Sequence, residues 1–309
     1  MDTSLSILQK VRFSLENCEP FTFWIKRDDL IDPIVSGNKW RKLKYNLEKA
    51  KHQKSIGILT FGGAFSNHLI ATAKACQLNG LKSIGIVRGD ELKIDSNDTL
   101  KMCHELGMDL RFVSRSDYKK RNEYDYLYQL RDQYSQYYIV PEGGANFYGA
   151  IGCQEILQET PNDFDHIYLA GGTGTTAVGV LSAVPDKIKV HLVSALKGDF
   201  LADEVLRGLQ KLSYNEAESL SSYKQLVLNT DHHFGGYGKV NQELLDFIND
   251  FYKQTEIPLD PIYTGKAMYA LMQDYNAGLI SKNEKCLFIH TGGLQGAKKW
   301  SDQLLFVSS

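Results

Sequence analysis

Short apolar runs alternate with amphipathic segments along most of the chain. The runs "FTFWIKR" (21–27), "SIGILTFGG" (55–63) and "KSIGIVRG" (82–89) are each followed by a loop and a segment of helical periodicity, the first of which begins at Asn38. The segment at 66–80 begins with Ser-Asn and ends with Gly, and these residues favour helix caps. This alternation predicts parallel sheets covered by helices on both faces.

The same alternation continues to the end of the chain. Further strands are predicted at "DLRFVS", "YYIVPEGG", "HIYLAGGTG", "KIKVHLVSAL" and "CLFIH", and further helices at about 95–107, 116–134, 146–159, 175–184 and 240–253 and from about Lys266. Most of the segment 200–240 shows no regular pattern. Since these units are too many for one sheet of typical size, we predict two α/β domains, residues 1–41 plus 146–309 and residues 42–145.

The composition is that of an ordinary globular chain. Of its 309 residues, 43% are hydrophobic and 23% are charged, and the formal net charge is -2. This balance argues against broad binding of nucleic acid or anionic membranes, and no apolar run approaches the ~20 residues of a membrane-spanning helix. The five cysteines are scattered without a C-x-x-C pair, which favours reduced thiols in a cytoplasmic protein and gives no metal site.

Four of the apolar strands run into pairs of glycines. Parallel sheets bind ligands at the carboxyl ends of their strands, and paired glycines let the backbone approach a ligand closely. A single pair is common in ordinary turns, but four such pairs at strand ends indicate a ligand site. The pairs are Gly62-Gly63, Gly143-Gly144, Gly171-Gly172 and Gly292-Gly293.

The stretch "YLAGGTGTTAVGVL" (168–181) predicts a strand, a Gly/Thr-rich turn and a helix. Backbone N–H groups and threonine hydroxyls at such a helix start suit a phosphate. A nicotinamide dinucleotide fits less well, because the next strand ends in Ser194 and Ala195 and lacks the acid that would hold the ribose. No G-K-[ST] follows the glycines, which excludes a P-loop. A purely structural turn is the remaining alternative.

Basic residues crowd the start of the first long helix, at Lys39, Arg41 and Lys42. The positive end of a helix dipole disfavours cations, so either solvent or a bound anion must accommodate them. Lys39 and Lys42 are three residues apart and share a helical face. One amine can therefore meet a phosphate while the other acts as a covalent nucleophile.

The stretch "GGAFSNH" (62–68) is a second junction of strand, glycine pair and helix. Its last three residues can bind a carboxylate or a phenolic oxygen through hydroxyl, amide and backbone N–H groups. The alternative is an ordinary N-cap, for which a serine alone suffices.

Five motifs together are typical of one enzyme family. They are "SGNKWRKLKY", "GGAFSNH", "AGGTGTT", "DPIYTGKAM" and "HTGG". Their order and spacing resemble the fold-type II pyridoxal-phosphate enzymes, and within them the group that holds 1-aminocyclopropane-1-carboxylate (ACC) deaminase and D-cysteine desulfhydrase. The likeness runs from about residue 22 to 300. It implies a fold like the tryptophan synthase β subunit, with two open, twisted, mostly parallel-sheet domains and pyridoxal 5'-phosphate (PLP) in the cleft between them.

The resemblance implies how the chain would hold PLP. Lys39 would bind the aldehyde of the cofactor covalently, and Asn67 would hydrogen-bond its ring oxygen. Thr264 and Thr291 would lie near the pyridine ring, and which of them meets the nitrogen is left open. The phosphate would be bound by Lys42 and by a turn made of Gly171, Gly172, Thr173, Gly174 and Thr175.

The resemblance also implies the substrate contacts. Ser66 and His68, with the adjacent Asn67, would receive the substrate carboxylate. Tyr263 would face the substrate, either as a proton donor or only to orient it. Tyr237, in "GGYGK", resembles a second active-site tyrosine of the group.

Two positions distinguish the two activities within the group. ACC deaminases have glutamate after the tyrosine of "DPxYxGK" and leucine after the histidine of the last motif, whereas this chain has Thr264 and Thr291. A threonine cannot supply the charge that makes the ring a strong electron sink. Elimination of a thiolate tolerates a weaker sink, so the resemblance favours D-cysteine desulfhydrase. D-cysteine would give pyruvate, hydrogen sulfide and ammonia, with Lys39 as general base.

Several alternatives stay open. On the same scaffold they are ACC deamination to 2-oxobutanoate and ammonia, D-serine dehydration and racemisation. A non-catalytic carrier or sensor of PLP would not need Lys39. A nicotinamide oxidoreductase would need an acid to hold the ribose, and this chain lacks one at the expected position. The resemblance implies a homodimer with a small amino acid as its only ligand besides PLP. The tyrosine-rich stretch 118–138 fits an amphipathic helix better than base stacking, so no nucleic-acid partner is expected.

Overall fold

The chain forms two compact units in a computed structural model that describes residues 1–307. The first unit comprises Met1–Asp32, Ser36–Asn38 and the chain from Cys153 onward. The second unit comprises Pro33–Val35 and Lys39–Gly152. Each unit has a mostly parallel sheet of its own, which confirms the predicted fold class.

The strands and helices alternate along the described residues. The strands are β1 (Leu8–Phe13), β2 (Phe21–Lys26), β3 (Gly57–Gly62), β4 (Lys82–Arg88), β5 (Met108–Val113), β6 (Tyr137–Ile139), β7 (His166–Gly171), β8 (Lys189–Ser194), β9 (Leu226–Asn229) and β10 (Cys286–Ile289). The α-helices are α1 (Asn38–His52), α2 (Asn67–Leu78), α3 (Asp98–Glu105), α4 (Arg115–Lys119), α5 (Tyr124–Gln133), α6 (Phe147–Gln158), α7 (Thr175–Leu181), α8 (Phe200–Leu212), α9 (Glu216–Tyr223), α10 (Gln242–Thr255) and α11 (Thr264–Asn276).

The first unit is built on a six-stranded sheet in the order β1-β2-β10-β7-β8-β9. Its strands pair in parallel except for the antiparallel pair β1–β2 at one edge. The strands β7 and β10 are buried along their whole length, as expected for parallel strands with helices on both faces. A core of aromatic and aliphatic side chains packs against this sheet, among them Phe23, Tyr168 and Phe288.

The second unit is built on a four-stranded parallel sheet in the order β5-β4-β3-β6. Its central strand β3 is fully buried and ends at Gly62. The helix α2 follows directly, and its buried face packs Leu69 and Ile70 into the core. This connection places the start of α2 at the carboxyl end of β3, where parallel sheets bind their ligands.

The helices α1 and α6 approach each other closely in the second unit. A Cβ on Gly152 would lie 1.8 Å from the carbonyl oxygen of Arg41, so only glycine permits this approach. The amides of Asn46 and Asn146 donate to each other at 3.1 and 2.8 Å. The second unit consequently holds residues 39–41 and 146–152, which the predicted boundaries assign to the first domain.

Most predicted elements agree with the structure, but the strand β1 was not predicted and two further segments differ. The long helix predicted at 116–134 is broken into α4 and α5, because Glu123 is extended at φ -79° and ψ 140°. The segment predicted to lack regular structure contains α8, α9 and β9. The signal for α8 was present, since Leu201, Val205 and Leu209 are spaced by four residues and are buried.

Residues 1–307 contain neither a candidate membrane-spanning helix nor a candidate metal-binding cluster. No helix in this part of the chain is long and apolar enough to cross a membrane. No group of three or more His, Cys, Asp or Glu side chains there is arranged to hold a metal ion.

Candidate active site

The residues before Lys39 are fixed against the end of β10 in the first unit. The backbone N–H of Asn38 donates to the carbonyl oxygen of Thr291 at 3.3 Å. Its side-chain amide donates to the hydroxyl of Thr176 in α7 at 3.0 Å. Gly37 has φ +58°, and a Cβ there would lie 2.0 Å from the oxygen of Thr291. This turn therefore requires glycine and sets where α1 begins.

The second unit brings Lys39 and Lys42 close to His68. Burial, together with the positive charges of Lys39 and Lys42, lowers the pKa of His68 to about 3. A Cβ on Gly144 would lie 2.9 Å from Cβ of Lys42 and 3.7 Å from Cε1 of the imidazole. The first turn of α1, the start of α2 and the glycine pair after β6 thus surround one place at the carboxyl end of β3.

His68 is a neutral imidazole whose tautomer follows from its neighbours. The hydroxyl of Thr60 donates its only proton to the carbonyl oxygen of Val140 at 2.8 Å. Nε2 of His68, 2.9 Å from the same hydroxyl, must therefore be the donor in that contact. Nδ1 is then a buried lone pair without a hydrogen-bond partner. A neutral ring with no spare N–H is poorly suited to the role expected of it, which was to receive a carboxylate.

We expect the low pKa of His68 to make the protein sensitive to acid. Between pH 6.5 and about 3 the unfolded chain binds a proton here that the folded chain does not, so stability is lost as pH falls through this range. The loss is up to about 1.4 kcal/mol per pH unit. Urea unfolding at pH 6.5 and near pH 5 measures it, since 6.5 is the ordinary pKa. In His68→Gln the difference between the free energies of unfolding at the two pH values is expected to be smaller by roughly 2 kcal/mol.

The matched control for this measurement is His104→Gln. His104 is exposed in α3, so its imidazole is in water in both the folded and the unfolded chain. An unchanged pH dependence in His68→Gln would contradict the assignment of a neutral, buried imidazole.

The loop between β3 and α2 presents two polar side chains at the helix start. Ser66 is the N-cap of α2, and its hydroxyl oxygen accepts from the backbone N–H of Leu69 at 3.4 Å. Its side chain lies against Gly62, where a Cβ would approach the hydroxyl oxygen to 2.7 Å. Asn67 is the first helical residue and is half-buried. The positive end of the α2 dipole makes this loop suitable for an anionic group.

The turn after β7 has the donors of a phosphate site. Gly174 has φ +73° and caps α7, a helix that is buried throughout. The hydroxyls of Thr173 and Thr175 are 3.1 Å apart. Hydroxyls and consecutive backbone N–H groups in a left-handed turn form an anion-binding concavity. The residues expected from "AGGTGTT" are thus together in the first unit.

Two tyrosines lie beside this turn in the first unit. A Cβ on Gly172 would lie 3.1 Å from Cε1 of Tyr263, so the glycine makes room for the ring. Tyr237 meets the ring of Tyr263 edge to face, with centroids 6.1 Å apart. The side chain of Tyr237 is 49% exposed. The structure therefore places Tyr263 against the expected phosphate turn and Tyr237 against Tyr263.

Asp260 holds Tyr263 and Thr264 in place. Oδ1 accepts from the backbone N–H groups of Ile262 and Tyr263 at 2.9 and 2.8 Å, and Oδ2 accepts from the N–H of Thr264 at 2.9 Å. The hydroxyl of Thr264 donates to Oδ2 at 2.7 Å and accepts from the N–H of Asp260 at 2.9 Å. Burial raises the pKa of Asp260, although these donors oppose the rise.

The donors that each unit presents, taken separately, suit the chemical groups of PLP. A phosphate needs N–H and hydroxyl donors on a backbone that can approach it closely. The glycines and threonines of the turn at 171–175 supply them. An aldehyde needs a primary amine, which α1 supplies in its first turn. A phenolic oxygen needs a neutral donor, and the amide of Asn67 is one.

Sequence reasoning missed three residues that position this site. Asn38 lies in "SGNKWRKLKY" and Asp260 in "DPIYTGKAM". The chemistry predicted for these motifs was assigned only to their lysine, tyrosine and threonine residues. Thr60 lies inside β3, and no local pattern marks it. Its role became visible only when the fold placed it beside His68.

The chain belongs to the family described as "Pyridoxal-phosphate dependent enzyme", whose sequence profile matches residues 7–292. This membership confirms the resemblance seen in the motifs. It also confirms that the chain is an enzyme of this family and that its cofactor is PLP.

Relatives of known name are similar over almost the whole chain. A "Putative 1-aminocyclopropane-1-carboxylate deaminase" of Pyrococcus horikoshii is 33% identical over 293 residues, covering 91% of this chain and 87% of the relative. The "Bifunctional D-cysteine desulfhydrase/1-aminocyclopropane-1-carboxylate deaminase, mitochondrial" of Arabidopsis thaliana is 31% identical over 310 residues, covering 91% and 74%.

Solved structures show the same fold. The crystal structure of an ACC deaminase homologue has a TM-score of 0.77 and 27% identity, covering 93% of this chain and 89% of that one. A hydrogen sulfide-producing enzyme from Fusobacterium nucleatum has a TM-score of 0.66 and 16% identity, covering 94% and 86%.

Proposed function

We propose that the protein catalyses a PLP-dependent α,β-elimination on a small D-amino acid, most simply D-cysteine, giving pyruvate, hydrogen sulfide and ammonia. The observation that carries this proposal is the neutral Thr264 after Tyr263, where ACC deaminases have glutamate. Its hydroxyl is bound to Asp260. Thr264 itself carries no charge that could strengthen the electron sink, so a substrate with a good leaving group is favoured.

We further propose that Thr291 is the threonine that meets the pyridine nitrogen. The hydroxyl of Thr264 already donates to one oxygen of Asp260 and accepts from its N–H. Thr291 is buried at the end of β10, where its backbone is fixed by Asn38.

The proposed roles of the remaining residues follow from their chemistry. Lys39 would hold the cofactor through its aldehyde, and the same amine would serve as the base of the reaction. Lys42 and the turn at 171–175 bind the phosphate, and Asn67 donates to the ring oxygen. Ser66, with the N–H groups at the start of α2, binds the substrate carboxylate.

The chemical step then needs two proton transfers by the chain. Bound PLP supplies the electron sink that draws electrons from the Cα–H bond. Nζ of Lys39 removes the Cα proton as general base. The hydroxyl of Tyr263 gives a proton to the departing sulfur, and Tyr237 supports the ring of Tyr263 from the side. The eliminated enamine reacts with water to give pyruvate and ammonia.

His68 has a different role in this proposal from the one its motif suggested. Its Nε2–H is held by Thr60, and its ring is neutral. It fills space beside Lys42 near Gly144 without adding a charge there. The substrate carboxylate is assigned to Ser66 and the backbone N–H groups at the start of α2, which include that of Asn67.

ACC deamination is the second candidate, because the Pyrococcus horikoshii relative bears that name. The two activities are separated by incubating the purified protein with PLP and either D-cysteine or ACC. We expect sulfide and pyruvate in equal amounts from D-cysteine, and no 2-oxobutanoate from ACC. L-cysteine is the control for stereochemistry. Release of 2-oxobutanoate from ACC without turnover of D-cysteine would reject the elimination proposal in favour of the deaminase.

The assembly and location of the protein stay predictions. We propose a homodimer in the cytoplasm. Size-exclusion chromatography with light scattering measures the assembly, and a monomer of 34.9 kDa would reject it.

A further inference from the structure

Lys266 is a buried lysine that the proposed reaction does not use. It lies in the first turn of α11, is 0% exposed, and is among the largest fully buried side chains. Its ammonium donates to the carbonyl oxygens of His233 and Gly236 at 2.8 and 3.0 Å. Burial lowers its pKa to about 8, and the charge of Asp260 opposes that shift. Burying a lysine costs free energy unless its N–H donors are satisfied. The two bonds to the carbonyl oxygens provide that compensation.

The two carbonyls belong to the loop that carries Tyr237. Within this loop Phe234, Gly235, Gly236 and Gly238 all have positive φ, between +52° and +111°. Backbone–backbone bonds within the loop span few residues, such as that from the N–H of Gly236 to the oxygen of His233 at 3.0 Å. No strand or helix fixes residues 230–241. Lys266 is therefore a long-range anchor for a loop of unusual backbone conformation.

The same turn of α11 also fixes Tyr263. Asp260 accepts from the backbone of Tyr263, which stands three residues before Lys266. The charges of Asp260 and Lys266 act on each other. Asp260 thus holds the backbone of Tyr263, and Lys266 holds the loop that carries the second tyrosine. The rings of the two tyrosines meet edge to face.

We propose that Lys266 is a positioning residue that, through the carbonyls of His233 and Gly236, sets Tyr237 against Tyr263 and so shapes the substrate side of the proposed active site. This inference rests on the proposed function for its catalytic consequence only. The anchoring of the loop is a property of the chain itself and can be measured without substrate.

The test is hydrogen exchange by mass spectrometry on Lys266→Met, which keeps the length of the side chain and removes its donors. We expect amides of residues 230–240 to exchange about tenfold faster or more, as the loss of two hydrogen bonds implies. Exchange in β7 and β8 is expected to stay unchanged. The value of kcat/KM for D-cysteine is expected to fall about tenfold, mainly through KM.

The matched control is Lys26→Met. Lys26 is 2% exposed in the same unit and also donates to a carbonyl, that of Ser6 at 2.6 Å. It makes no bond to the loop, so exchange at 230–240 should stay that of the wild type. Lys266→Gln keeps a donor on a shorter side chain and serves if Lys266→Met does not fold. It is expected to show faster exchange confined to the same loop.

Two results would overturn the proposal. One is wild-type exchange at 230–240 in a folded Lys266 variant. The other is faster exchange in this loop that Lys26→Met reproduces, which would show a general loss of stability. If the wild-type protein turns over no D-cysteine while Lys266→Met still loosens the loop, the elimination proposal fails and the anchoring role of Lys266 stands.

Discussion

Lys39→Ala is expected to lose the elimination activity by about a thousandfold or more. The amine of Lys39 is proposed both to bind the cofactor aldehyde and to take the Cα proton, and general-base catalysis alone contributes about 10² to 10⁴. The visible absorption of lysine-bound PLP should be absent from the variant as well. Sulfide release from D-cysteine and the visible spectrum, recorded on the same sample, measure both effects.

Lys51→Ala is the control for this variant. Lys51 lies near the end of the same helix, and its ammonium donates to Asn79 on the exposed surface at 2.7 Å. The substitution is expected to leave activity and spectrum unchanged. If Lys39→Ala retained the visible band and sulfide release, another amine would have to be the nucleophile, and the role assigned to Lys39 would be rejected.

Gly37→Ala is expected to destabilise the protein by about 3 kcal/mol or more, the sum of a left-handed backbone cost of about 1–2 kcal/mol and steric overlap. Gly37 has φ +58°, and an added Cβ would lie 2.0 Å from the oxygen of Thr291 and 2.3 Å from its carbon. These atoms are backbone and cannot move aside as a flexible side chain would. The free energy of unfolding in urea measures the loss.

Gly80→Ala separates the two contributions. Gly80 has φ +66°, and no atom lies within 4 Å of an added Cβ. Only the backbone term applies there, so a loss of about 1 kcal/mol is expected. Equal losses in the two variants would show that the turn before Lys39 is not packed against Thr291 as described.

Much of the fold could be predicted because its strands are short, apolar and bounded by glycine. β3 and β7 are buried along their whole length, and each ends in a glycine pair that marks a turn. The start of α2 carried a cap signal in Ser66, which the structure uses as the N-cap. Local pattern and tertiary position agree at these elements, and sequence reasoning works for that reason.

Other features depend on tertiary contacts and gave no local signal. α8 is an exception, because its apolar residues have helical spacing and Gly198 and Asp199 precede its start, so a local signal was present and was overlooked. Nothing in the local sequence "YTGKAM" indicates that Lys266 is buried, yet its side chain is fully buried. His68 reads as a possible charge, yet its surroundings keep it neutral. Burial decides the chemistry of both residues, and burial follows only from the complete fold.

The central claim is that Lys39 is the amine that bonds to PLP. Borohydride reduction of the PLP-loaded protein, followed by proteolysis and mass spectrometry, tests it most directly, because reduction fixes the cofactor on the lysine that held it. We expect the pyridoxyl group on the peptide that contains Lys39, at the side chain of Lys39. A label on Lys42 or Lys266, or complete release of the cofactor on denaturation after reduction, would contradict it.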